Sequence, residues 1–205
     1  MSTWYERHVL PCLIDWGCGL PLATRQRQAL VPRAHGRVLE VGVGTGLNLR
    51  HYDRQQVQSL TVLDPAESLH RLARQRAERA GLPVELLGLS AERIPLPDHS
   101  FDTVVMTWTL CSIPEPLAAL REMRRVLAPQ GQLLFCEHGL SPEPAVQRWQ
   151  RRLEPWWSPC AGGCHLTRDV PRLLRDAGFA LPELEQRYLM RPHTLGYHYW
   201  GCATP

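Results

Sequence analysis

A chain of 205 residues holds one domain with a substantial core and is too short for two ordinary ones. Its 44% hydrophobic and 21% charged residues exclude a disordered or fibrous protein, and no apolar run reaches the ~20 residues of a membrane-spanning helix. All 23 basic residues are arginine, which excludes a Schiff-base, pyridoxal-phosphate or P-loop lysine, and a net charge of +3 is too small to suggest nucleic acid. Seven cysteines, an odd number, without a recognisable export leader, lead us to expect reduced thiols and a cytoplasmic protein.

Residues 1–36 mix an amphipathic start (Tyr5, Val9, Leu13), a break at Gly17-Cys18-Gly19 and helical character from Thr24 to Leu30, a candidate lid. A regular alternation then begins. Arg37 to Val41 reads as a buried strand, with a helix expected from Leu47; Ser59 to Leu63 is a second strand, followed by a helix over Pro65 to Ala80 closed by Gly81. Strands are expected at Val84 to Leu87, Asp102 to Thr107 and Gln132 to Glu137, with a strongly periodic helix at Glu115 to Leu127 stopped by Pro129-Gln130-Gly131. Five β-then-α units in succession imply a doubly wound, mostly parallel sheet covered on both faces. Helices at 144–157 and Arg168 to Asp176 follow, then strands at Glu185 to Met190 and Tyr197 to Trp200. Only six residues separate those two strands, so they should run antiparallel. The fold class is therefore α/β and Rossmann-like, with a cofactor core at 37–137 and a substrate-side part at 138–205.

The first strand runs into Glu40-Val41-Gly42-Val43-Gly44-Thr45-Gly46. Glycine permits a sharp turn and lets a ligand lie against the main chain without a Cβ in the way. The spacing is GxGxG, not the GxGxxG that seats a dinucleotide pyrophosphate, and Glu40 just ahead suits a ligand with a cationic portion. Asp64, at the end of the second strand before Pro65, can accept hydrogen bonds from a ribose diol. A glycine-rich strand-to-helix turn also occurs in nicotinamide-dependent oxidoreductases and in binding modules without catalysis, so those readings stay open here.

These segments, with Ser90-Ala91-Glu92, Ser100-Phe101-Asp102 and Arg125 to Gly131, together resemble the class I S-adenosylmethionine-dependent methyltransferases over roughly half the chain. Pro129-Gln130-Gly131 departs from the family's usual Pro-Gly-Gly. The resemblance implies S-adenosyl-L-methionine as cofactor. It implies that Glu40, Gly42, Val43 and Gly44 lie against the methionine moiety, Asp64 and Pro65 by the ribose, Ala91 and Glu92 by the adenine, and Thr107 near the methionine end. Cys136-Glu137-His138, Trp149-Gln150, Leu153 to Trp156, Gly163 to Arg168 and Arg191-Pro192-His193 look like stretches of the methyltransferase-like thiol S-methyltransferases and their bacterial relatives. Quinone and phospholipid methyltransferases share the fold, so the acceptor is not fixed by it.

The acceptor side is expected at the ends of the fourth and fifth strands, where ligands collect in open α/β sheets. Glu137 and His138 are the candidate catalytic groups; Trp108, Cys111 and His165 are candidate substrate contacts. Trp156-Trp157 could wall a pocket or pin the chain to the sheet. Cys160, Cys164 and His165 invite a metal reading, but the other cysteines form no second pair at zinc-ligand spacing, and no metal site is expected. The partner implied is a small molecule, with no nucleic acid and no transmembrane segment.

Overall fold

The computed structural model describes residues 4–205, without the side chains of residues 6 and 7. Seven strands form one sheet in the order β3-β2-β1-β4-β5-β7-β6. They are β1 (Gly36–Val41), β2 (Val57–Leu63), β3 (Val84–Leu87), β4 (Phe101–Thr107), β5 (Leu127–His138), β6 (Ala180–Tyr188) and β7 (Tyr197–Thr204). The first five pair in parallel; β7 runs antiparallel between β5 and β6. This is the doubly wound arrangement with an antiparallel final strand that the sequence implies.

Both faces of the central strands are buried, which is why they read as unbroken apolar runs rather than alternations. Leu39 and Val41, Val104 and Met106, Leu133 and Phe135 face one core with Leu120 and Met123 of α5 (Pro116–Val126) and Leu174 of α7 (Val170–Asp176). Val38, Val105, Leu134 and Cys136 face the other, with Ala73 and Ala77 of α4 (Glu67–Ala80) and Leu30 of α3 (Pro21–Leu30). α4 ends on Gly81 at φ +59°, a left-handed cap that glycine adopts without Cβ strain. Ahead of α3 lie α1 (Trp4–His8) and α2 (Leu10–Cys18), so the expected N-terminal helices begin earlier than the periodicity suggests; residues 1–3 of that segment lie outside the described residues.

The helix expected from Leu47 is absent, and so is any helix between β3 and β4. After β1 the chain closes successive tight turns (Gly46 N to Val43 O, Leu49 N to Gly46 O, His51 N to Asn48 O) and makes one 3-10 turn at Leu49–His51. The Tyr52 hydroxyl then reaches back to Glu40 at 2.8 Å, and that tether takes the place of an α-helix from Leu47. Residues 88–100, between β3 and β4, are irregular because Pro95 and Pro97 remove backbone donors and oppose helix. The succession is therefore not five full β-α units. β5 starts five residues earlier than expected, running through Pro129-Gln130-Gly131 with an irregular register against β4. Beyond it stand α6 (Pro144–Cys160) and the short α8 (His193–Gly196). Among the described residues no helix is long and apolar enough to cross a membrane.

Candidate active site

A cavity of about 1390 Å³ opens along the carboxyl ends of β1, β2 and β4. That exceeds the ~300–1,000 Å³ of a typical single-ligand pocket, leaving space for a second small molecule beside a nucleoside-sized one. Of the nine residues expected to hold cofactor, Glu40, Gly42, Val43, Gly44, Asp64, Pro65, Ala91 and Thr107 line it. Glu92 does not. Its carboxylate is turned outward, taking the Glu115 N–H at 2.8 Å and the Ser90 hydroxyl at 2.9 Å, and so fastens the adjoining loops.

The glycine loop is clamped at Gly44 by the side chain of Asp64. Asp64 accepts from the Gly44 N–H through Oδ2 and from the Ala66 N–H through Oδ1, both at 2.8 Å. Burial raises its carboxyl above the ordinary range, and those two donors draw it partly back. Gly42 and Gly44 differ in what surrounds them. A Cβ at Gly42 (φ +75°) would collide with the Thr109 side chain, whereas at Gly44 (φ +54°) it would meet nothing within 4 Å. Gly44 therefore presents bare main chain to the cavity.

Beneath the loop lies a buried polar network that sequence patterns do not reveal. Glu40 accepts from Tyr52 at 2.8 Å and from the Asn48 amide at 3.0 Å; the Asn48 amide also donates to Thr107 at 3.0 Å, and its carbonyl takes Arg27 Nε at 2.9 Å. The Arg27 guanidinium stacks 4.4 Å from the Trp108 ring centroid. Burial pushes Glu40 up to about 7, although Tyr52, Asn48 and Arg27 all favour its ionised form. Trp108 holds φ +51°, a strained conformation for a bulky residue, fixed by its N–H on the Cys136 carbonyl at 2.8 Å. It lines the cavity, as expected of the residue after β4.

The other acceptor-side candidates sit behind the wall or beside it. Glu137 is fully buried; its Oε1 takes the N–H groups of Thr109 (2.8 Å) and Leu110 (3.0 Å), its Oε2 has no partner among the described residues, and burial pushes it up to about 7. It shapes the loop after β4 and does not line the cavity. His165 pairs with Glu154 at 3.1 Å, while Glu154 also takes the Leu166 and Thr167 N–H groups. His165 is therefore engaged away from Cys164, and Cys160 is exposed. The structure instead gathers Cys111, His138 and Cys164, whose Sγ and ring nitrogen atoms all lie within 4.8 Å of one another. His138 Nε2 is 3.1 Å from Cys164 Sγ, and the Trp157 indole N–H donates to that sulfur at 3.2 Å. The neighbouring Cys111 thiol is the largest reason Cys164 is held well below the ordinary thiol range; burial works against it, and His138 and Trp157 add to it. Cys111 is correspondingly pushed up.

The roof comes from the N-terminus. Leu10 and Ile14 of α2 line the cavity and approach Gly162, the Tyr5 hydroxyl bonds the Cys160 carbonyl at 2.6 Å, and Asp15 joins Thr45 (2.5 Å) and Arg76 (2.6 Å).

A parallel sheet of this order, with a glycine loop after β1 and an acidic residue after β2, defines a nucleoside-cofactor fold of the methyltransferase kind. Residues 39–135 match the methyltransferase domain family. The chain is similar to thiol S-methyltransferase TMT1B of Rattus norvegicus, 37% identical over 152 residues, which make up 72% of this chain and 62% of that protein. With the Mus musculus enzyme of the same name it shares 37% identity over 169 residues, 78% and 68% of the two lengths. A SAM-dependent methyltransferase structure from Aquifex aeolicus superposes with a TM-score of 0.64 at 22% identity, covering 95% of each chain, which speaks for the fold. The chain belongs to the class I S-adenosylmethionine-dependent methyltransferases, and the dinucleotide reading is set aside. It spans slightly under two thirds of the rat relative.

The cofactor of this family is S-adenosylmethionine, and the residues present fit it. Gly44 offers a cradle that a Cβ would fill, Asp64 supplies acceptors beside it, and Glu40 supplies a buried carboxylate for a cationic ligand. Bound there, the cofactor supplies an electrophilic sulfonium methyl.

Proposed function

We propose that this chain methylates a small lipophilic thiol. The observation that carries this reading is the composition of the cavity beyond the glycine loop. Leu10, Pro11 and Ile14 from α2, with Ile113 and Pro114, give it apolar lining, and no lysine is available anywhere as a base. Direct methyl transfer needs the acceptor held in line at near-attack distance, a proximity effect of at most ~7–11 kcal/mol. A thiol is already a few per cent thiolate at neutral pH and needs little further help, whereas a phenol or an ammonium would need a strong base. The thiol S-methyltransferases named above support the same choice.

On this reading Glu40, Gly44 and Asp64 position the cofactor. Thr107 and Trp108 stand where the acceptor approaches; Glu137 acts from behind the wall by fixing the loop after β4, and His138 stands beside Cys164. The helices of residues 4–30 act as the roof that excludes water, residues 37–137 as the cofactor core and 138–205 as the acceptor side of one domain. Neighbouring free thiols at 111 and 164 suit a reducing compartment, and we keep the cytoplasm of a bacterium as the proposed setting and a small molecule as the partner.

The test is a parallel screen of thiol, phenol, amine and phospholipid acceptors, reading S-adenosylhomocysteine release. Thiols should lead, and the rate should rise with pH through the acceptor's own ionisation. Turnover of an amine or a phospholipid with none of any thiol would refute the proposal.

A further inference from the structure

The geometry points to a metal site made by Cys111, His138 and Cys164, taking one zinc-like divalent ion with a fourth position open to a thiolate. Two sulfurs and one imidazole nitrogen are the ligand set of an open, catalytic-type zinc centre, in which three protein ligands leave one place for water or substrate. Around such an ion, at ~2.3 Å for sulfur and ~2.0–2.1 Å for nitrogen, tetrahedral ligands stand roughly 3.5–4 Å apart. The three atoms here lie within 4.8 Å of one another, with His138 Nε2 and Cys164 Sγ 3.1 Å apart, so small side-chain rotations suffice.

The three residues come from separate segments, and each is pinned. Cys111 sits on a loop whose Leu110 N–H is held by Glu137 and whose Leu110 and Ile113 carbonyls are both taken by Arg168. Its own carbonyl accepts the His165 N–H at 2.9 Å, which draws the neighbouring Cys164 alongside. His138 ends β5, in register with His198 of β7. Outer-shell bonds of this kind are what hold ligands in place before an ion arrives. Trp157 donates to the Cys164 sulfur, a bond suited to a thiolate ligand. Beside His138, Oε2 of the fully buried Glu137 has no partner among the described residues, an acceptor whose ionised form a nearby dication would favour. Cys111 and Cys164 are each one residue along the chain from cavity-lining Ser112 and Gly163.

The fourth-ligand role rests on the thiol reading above; the three-ligand site does not. In that role the acceptor R–SH binds the ion through sulfur and releases its proton to solvent. A sulfur lone pair then forms the new bond to the sulfonium methyl carbon. The old carbon–sulfur bond breaks with its electron pair returning to the departing thioether. The methylated sulfur, a weaker ligand, leaves the ion.

The experiment uses the full chain, stripped with a chelator and kept reduced by a phosphine, titrated with Co(II) and then Zn(II). We expect one equivalent of Co(II) to give thiolate-to-metal charge-transfer and tetrahedral visible bands that Zn(II) abolishes. Cys111→Ser, Cys164→Ser and His138→Ala should weaken binding by more than ~100-fold, with folding checked by circular dichroism. Cys12→Ser and Cys160→Ser should not. Benzyl mercaptan, and not benzyl alcohol, should add charge-transfer intensity. Absence of stoichiometric Co(II) binding by the folded, reduced wild type overturns the site, as does binding unchanged in the folded Cys111→Ser and Cys164→Ser proteins. Co(II) bands indifferent to benzyl mercaptan overturn the open thiol position. A protein that shows the bands and methylates only non-thiols overturns the thiol reading and leaves the three-ligand site standing.

Discussion

The two ends of the cavity are built on different plans. The cofactor end is local: residues 40–48 and 64–66 supply its loop, its glycine cradle and the carboxylate that clamps it. The acceptor end is assembled from distant pieces. Glu137 holds Leu110 across 27 positions, Arg168 holds the same residue across 58, and His138 meets Cys164 across 26. A local site is set by backbone conformation and fails at one badly chosen residue. An assembled site is set by clamps, and each clamp can be removed on its own.

The sharpest break in the comparison is within the glycine loop. Gly42→Val combines a positive φ with a collision against Thr109 and should cost about 3–5 kcal/mol in a denaturant titration. Gly44→Ala keeps the positive φ but meets open space, so it should cost only ~1–2 kcal/mol while cofactor affinity falls at least tenfold, ~1.4 kcal/mol. Equal melting temperatures for the two variants would dissolve the distinction. Asp64→Ala comes next: it frees two backbone donors and should lose ~2–3 kcal/mol of stability together with most cofactor binding by calorimetry. Asp64→Asn should fall between.

At the acceptor end the matching test is Glu137. Glu137→Ala strands the Thr109 and Leu110 N–H groups and should destabilise by ~2–3 kcal/mol, whereas Glu137→Gln keeps an oxygen for them. Burial raises this carboxyl from 4.5 to about 7, so the native state holds its proton longer than the unfolded chain does. Wild-type stability should therefore fall as pH rises through that interval, and Glu137→Gln should gain on it; a gap that does not move between about pH 5 and about pH 8 would contradict the assignment.

Glu40, also raised to about 7, makes a gentler prediction. A cationic ligand favours its ionised form, so S-adenosylmethionine should bind several-fold more tightly at about pH 8 than at about pH 6, with the slope flattened in Glu40→Gln. The smallest effect belongs to the roof. Asp15 and Arg76 are each about 30% exposed, so Asp15→Asn should cost under ~1 kcal/mol yet speed proteolytic cleavage within residues 4–30.

The same contrast decides what was legible in the sequence. Strands β1, β2, β4 and β5 announce themselves because burial on both faces demands apolar runs such as Val104 to Met106, and the glycine loop and Asp64 can be found by spacing. The missing helix after Leu47 was not legible, because the Tyr52-to-Glu40 bond that replaces it joins two residues with no pattern of their own. Arg27 reads as one arginine among 23 until the fold buries it against Asn48 and Trp108. The cysteines misled most. Proximity in sequence paired Cys164 with Cys160 and His165, whereas strand order and one backbone bond from His165 to Cys111 pair it with residues 26 and 53 positions earlier.

The place of β7 in the sheet bears on how the molecule comes together. The last strand in the chain is interior, so β5 and β6 each leave an open row of backbone donors and acceptors until it is inserted. The cofactor half of the sheet can pair among earlier segments, while the half carrying His138 waits for Tyr197–Thr204 to arrive. A chain that has paired β3, β2, β1, β4 and β5 still carries the apolar β5 as an open edge until β7 docks on it, the kind of surface on which partly folded chains adhere to one another.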